Sequence, residues 1–112
     1  MRFHLDQNVK NTDGGNLLEG AKEVTIRDVL AFVALQLDAQ EQLPLQQKLT
    51  RYDLYNHLQK RPDDVYELKI EEVAMLKELV GKFCTIFVCG QIIKFLESAA
   101  IPDVQIVQDQ VA

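Results

Sequence analysis

The sequence predicts a mainly α-helical single domain of about four helices, with a minor N-terminal β-hairpin or short-strand element. Three observations point to it. Apolar residues recur at helical spacing in four stretches beyond residue 25. Residues 2–24 lack that period and hold a dense turn cluster instead. The length, 112 residues, corresponds to about one domain, and a chain of this size buries roughly two thirds of the surface it exposes when unfolded, enough for one core without staples. The domain is expected over residues 1–98. Residues 99–112, with Pro102 and an extended-type run Val104-Gln105-Ile106-Val107, are expected to form a C-terminal tail.

At the N-terminus Phe3, Leu5 and Val9 alternate with polar residues, which signals a strand. Asn11-Thr12-Asp13-Gly14-Gly15-Asn16 is a turn, because glycine supplies positive φ and Asn and Asp bond their own backbone. A short second strand at Leu17-Leu18 would complete a hairpin or extended arm. The first helix opens with Thr25 as N-cap and Asp28 three residues on, close to a capping box. Val29, Leu30, Val33, Ala34 and Leu37 then repeat at helical spacing, with Phe32 and Leu35 on the opposite side.

Asp38 to Leu43 reads as a loop. Pro44 suits the first position of a second helix. Leu45, Leu49, Tyr52, Tyr55 and Leu58 mark its apolar stripe, and Lys60, Arg61 and Pro62 end it. Val65-Tyr66-Glu67-Leu68 is a β-prone run expected to pair with the N-terminal arm. A third helix starts near Ile70, with Glu71 and Glu72 at its positive end and Ile70, Val73, Leu76, Leu79 and Val80 facing inward. Glu78 and Lys82 are spaced for a helical ion pair, and Gly81 for a C-cap or kink. Phe83 to Cys89 has strand-like composition, yet Ile92, Ile93, Phe95 and Leu96 continue as helix. One helix over about 85–98 is therefore expected, with Gly90 permitting a close crossing. The core expected from these faces is Leu30, Val33, Leu37, Leu49, Tyr52, Leu76, Val80, Ile92 and Leu96.

Composition excludes several functions. Twelve basic against seventeen acidic residues leave a charge of −5, which opposes direct nucleic-acid binding that depends on phosphate neutralisation. The most apolar stretch, Phe83 to Leu96, is shorter than the ~20 residues of a membrane span. The N-terminus lacks the apolar core of a secretory signal. Cys84 and Cys89 match no zinc or redox spacing and read as small core residues, about 140° apart if helical. Only two histidines occur, His4 and His57, without a ligand cluster around them. No phosphate loop, dinucleotide motif or nucleophile elbow is present. Asp63-Asp64 reads as a turn and Glu71-Glu72 as dipole-matched caps, not as a catalytic pair. No catalytic residue, cofactor site or metal site is expected. Lys48, Arg51, Lys60 and Arg61 with Tyr52 and Tyr55 give the second helix a basic, aromatic side, which leaves a nucleic-acid accessory role as one alternative.

The runs Thr25-Ile26-Arg27-Asp28-Val29-Leu30, Lys48-Leu49-Thr50-Arg51-Tyr52-Asp53-Leu54 and Gly81-Lys82 followed by Val88-Cys89-Gly90-Gln91, with Asp13-Gly14 before them, order themselves in a recognisable way. The chain resembles a family of small, functionally uncharacterised proteins of tailed bacteriophages and prophages. The resemblance covers residues 1–98. It departs at the bulky run Phe83 to Phe87, where that family has a small or proline-containing break. It implies a phage context and no catalytic residues.

The function expected on these grounds is non-enzymatic protein binding. The first reading is inhibition or redirection of a host factor or defence complex, anti-CRISPR-like, in the host bacterial cytoplasm. A virion, head–tail or tail assembly component is the alternative. Phe32, Leu35, Arg51, Tyr55 and Phe95 are the interface candidates. The excess of apolar helix faces predicts a homodimer burying Phe32, Leu35 and Phe95. The competing arrangement folds the N-terminal arm or the tail over them within one chain.

Overall fold

The structure is a computed structural model that describes residues 1–38, 41–59 and 65–100. Its elements run β1 (Arg2–Phe3), β2 (Leu18–Glu19), β3 (Lys22–Glu23), α1 (Ile26–Ala34), α2 (Leu45–Gln59), β4 (Tyr66–Glu67), α3 (Ile70–Phe83) and α4 (Ile86–Ser98). Helices make up 55% of the described residues, which is the mainly α fold the sequence predicts.

Of the arm expected as a strand only Arg2–Phe3 is one, and the hairpin forms one segment later than expected, but the burial alternation holds. Phe3, Leu5 and Val9 are buried while the residues between them face outward. β1 pairs antiparallel with β4, Phe3 opposite Tyr66, as expected of the Val65–Leu68 run. Backbone bonds between Met1 and Leu68 extend that ladder. The second sheet is the β2–β3 hairpin. Its turn and the turn before it contain the two positive-φ residues, Gly20 and Gly14, where only glycine avoids a Cβ penalty. The Asn11–Asn16 cluster closes on itself as Asn and Asp side chains bond backbone N–H groups two residues on.

α1 begins with the capping box read from Thr25 and Asp28. The Thr25 hydroxyl accepts from the Asp28 N–H, and the Asp28 carboxylate accepts from the Thr25 N–H at 3.0 Å. The helix is central, packing on both α2 and α3, while α3 packs on α4. α1 stops at Ala34, so Leu37 lies beyond the helix and is exposed, not in the core.

The core unites Phe3, Leu5, Leu30, Val33, Leu54, Leu58, Tyr66, Leu68, Leu76, Val80, Ile92 and Leu96. Six of the nine expected core residues belong to it. Leu37, Leu49 and Tyr52 do not, and Ile70, expected to face inward, stands exposed at the first residue of α3. α2 is rotated from the expected stripe: Arg51, Leu54 and Leu58 face inward, and Leu45, Leu49 and Tyr52 face solvent. Of the expected stripe, Leu58 is buried and Tyr55 half-buried; the physical reason for the rotation is that Leu54, off that stripe, lies one turn before Leu58 and forms with it an apolar edge that Arg51 extends with its aliphatic stem.

Thr85 ends the extended pair Cys84-Thr85 and caps α4, accepting from the Val88 N–H. A threonine cap therefore makes the break without proline or glycine. Gly81 continues α3 instead of ending it, and Gly90 is exposed, with no helix crossing against it among the described residues. Lys82 pairs with Glu41 at 3.4 Å, across the fold, in place of Glu78. Asp63-Asp64, Lys60, Arg61, Pro62 and residues 101–112 lie outside the described residues.

Candidate functional site

Two exposed apolar surfaces arise from the way α1 and α2 are seated. The first is a cleft of about 310 Å³ between the β2–β3 hairpin, the outer face of α1 and the α3–α4 junction. Leu17, Val24, Val29, Cys84 and Val88 form its floor, and Leu18 and Phe32 stand on its rim, each 55% exposed. Val29 and Phe32, three apart, share one edge of α1; Val33, the next residue round the helix, points into the core. The first turn of α4, which contributes Val88 to the floor, also presents Ile86, 92% exposed, and Phe87.

The charges at this cleft are acidic and largely fixed. Asp28 is held by the Thr25 cap and faces Lys22 at 3.9 Å, and Glu19 stands opposite it on the hairpin. Burial pushes the Cys84 thiol above its ordinary pKa, with the nearby Cys89 adding to the effect. The thiol is thus held protonated, as a weakly polar part of an apolar wall.

The second surface is the outer face of α2. Leu45, Leu49 and Tyr52 are 72%, 47% and 56% exposed, and the α1–α2 connection adds exposed Leu35 and Leu37. A hollow of about 190 Å³ lies between Leu35, Leu37, Leu43 and Tyr52. Arg51 underlies it. Its Nε donates to the Ala34 carbonyl at 3.1 Å and its Nη2 to the Gln36 carbonyl, tying down the end of α1. Between α2 and α3 a third, more polar hollow of about 320 Å³ is edged by the Glu41–Lys82 pair.

The five interface candidates separate in the structure. Phe32 is exposed on the first surface and Leu35 on the second. Arg51 is buried under the second. Tyr55 is half-buried against the core. Phe95 is covered by the N-terminal arm, its ring 5.9 Å from that of Phe3, so the arm folds over this residue within one chain. The arm is held there by Gln91, whose side-chain amide exchanges both hydrogen bonds with the Lys10 backbone, at 2.8 and 2.7 Å. The basic side of α2 loses Arg51 to its inward role, and His57 bonds the Glu67 carbonyl at 2.9 Å. Sequence reasoning missed Leu18, Ile86 and the outward turn of Leu45, Leu49 and Tyr52. The Leu54–Leu58 spacing was the available signal for the last.

A second buried cation, Arg27, is equally occupied. Its Nε meets the Asp6 carboxylate at 2.8 Å and its Nη1 the Leu58 carbonyl at 3.4 Å. Burial works to lower its pKa, but the hydrogen bond and charge of Asp6 outweigh that and leave it raised. Among the described residues no cluster of three or more His, Cys, Asp or Glu is placed to hold a metal ion, and no helix is long and apolar enough to cross a membrane. Compared with family models, with curated proteins and with solved structures, the chain finds no match in any of the three.

Proposed function

We propose that the chain is a bacteriophage protein that acts without catalysis, by binding another protein and so inhibiting or redirecting a host factor or defence complex in the host bacterial cytoplasm. The observation that carries the binding role is the apolar cleft with Phe32 and Leu18 exposed on its rim. A protein this size gains nothing in water from such a rim, and exposed apolar patches of this kind mark interaction sites. A cleft takes an apolar side chain of the partner, and the aromatic rim supplies the kind of anchor that dominates interface energies. The net charge of −5 favours a partner whose working surface is basic, and steers the encounter. The phage context rests on the motif resemblance over residues 1–98. Assembly into a virion is the second reading, favoured by the separate apolar face on α2, since an assembly component needs more than one contact surface.

The test is affinity capture from phage-infected bacterial lysate with wild type and Phe32→Glu side by side. One host complex retained by wild type and lost by Phe32→Glu supports inhibition at the cleft. Phage structural proteins retained instead support assembly. Identical captures with both proteins would remove the cleft from the function.

A further inference from the structure

The outward face of α2 has a pattern that the cleft does not explain. Leu45, Leu49, Tyr52, Asn56 and Gln59 are spaced alternately four and three apart, the spacing that keeps one seam facing a partner helix. All five are exposed. On that spacing Leu45, Tyr52 and Gln59 take d positions, and Leu49 and Asn56 take a positions. Lys48 then falls at g and Asp53 at e, five residues later. Both are exposed, and neither is in an ion pair among the described residues. In a parallel pair of helices a g residue faces the e residue five positions on in the partner. In an antiparallel pair it does not, because like flanks meet.

We infer that a second copy of this chain docks on this face, with the two α2 helices parallel and in register about a two-fold axis. Leu45, Leu49 and Tyr52 of one copy meet their counterparts, and Lys48 of each copy faces Asp53 of the other. A second copy in this orientation satisfies both charges at once, each Lys48 by the other copy's Asp53. Asn56 at an a position meets its own counterpart across the axis, the arrangement by which a buried polar residue fixes register and a two-stranded state. Leu35 and Leu37, exposed beside the seam, widen the apolar contact beyond what one short helix provides. This interface is separate from the cleft and from Phe32.

Sedimentation equilibrium on the full chain, from micromolar to sub-millimolar concentration, tests the pairing. A dimer is expected; a monomer throughout overturns the inference. Asp53→Lys is expected to weaken the dimer on the order of tenfold by setting like charges opposite each other twice. Adding Lys48→Asp is expected to restore it. Failure of the double exchange to restore it overturns the charge register. All these residues are solvent-facing, so circular dichroism should match wild type in each variant. Orientation is read independently by Asn56→Cys in a background with Cys84 and Cys89 replaced by serine. Oxidation links the parallel dimer through residue 56. A dimer that forms but does not link is antiparallel and overturns the stated geometry.

Discussion

The buried Arg51 shows how a single side chain defines this fold. Arg51 stands in for a helix cap: its guanidinium takes the Ala34 carbonyl that α1 leaves without an intrahelical donor, and the Gln36 carbonyl just beyond the helix. Arg51→Met keeps the aliphatic stem and removes the donors. It should cost about 1–3 kcal/mol in urea unfolding, the penalty for stranding a buried carbonyl. Arg51→Lys should recover only part of that, since one ammonium cannot reproduce a forked donor. Cys84 gives a prediction in pH. Its folded pKa is raised by burial above the ordinary thiol value of 9.0. Above that value the unfolded chain has released a proton that the folded chain still holds, so stability falls as pH rises through the interval. At and below neutral pH the group contributes no slope. Chemical denaturation of wild type and Cys84→Ala at neutral and alkaline pH should converge as pH rises, with the wild type losing more.

At the scale of elements, the packing of α2 can be tested by two leucines of the same helix. Leu54 is fully enclosed and Leu49 faces water. Leu54→Ala should cost about 2–5 kcal/mol, whereas Leu49→Ala should stay within about 1 kcal/mol when measured on the monomer. Equal losses would mean the helix is rotated back toward the stripe that the sequence suggests. That stripe was misleading for a specific reason. Leu45, Leu49 and Tyr52 line up with Tyr55 and Leu58 and outnumber Leu54, and periodicity counts residues without knowing which face α1 meets. Other elements were legible because their signals are local. The Thr25–Asp28 box states its conformation within four residues, and the alternation of Phe3, Leu5 and Val9 states which side is buried, though only Arg2–Phe3 is a strand; the Thr85 cap is not legible in the sequence, because the apolar run around it obscures it. The pairing of β1 with β4 is also legible, since Val65–Leu68 is a short β-prone run that lies between two helical stretches and has the N-terminal arm to pair with. The cleft was not legible. Its lining comes from three separated segments, and only Phe32 among its rim residues was recognisable from helical phase.

For the whole molecule, the two apolar surfaces sit on different helices and share no residue, which makes their functions separable. The cleft uses α1, the hairpin and the start of α4; the seam uses α2 alone with the connection before it. Leu49→Glu should therefore abolish self-association while leaving capture of the partner by a single copy intact. Phe32→Glu should abolish capture while the sedimentation behaviour stays that of wild type. Sites this far from sharing contacts combine additively, so the double variant should be a folded monomer without partner binding and with the summed stability change. A partner that itself presents two sites would bind the dimer more tightly than the monomer, because the second contact becomes intramolecular once the first is made. Leu49→Glu would then lower apparent affinity without touching the cleft. Isothermal titration at low protein concentration, where the wild type is itself dissociated, separates this avidity from a direct contact. The Leu49→Glu defect should vanish there if it is avidity, and persist if the α2 face touches the partner.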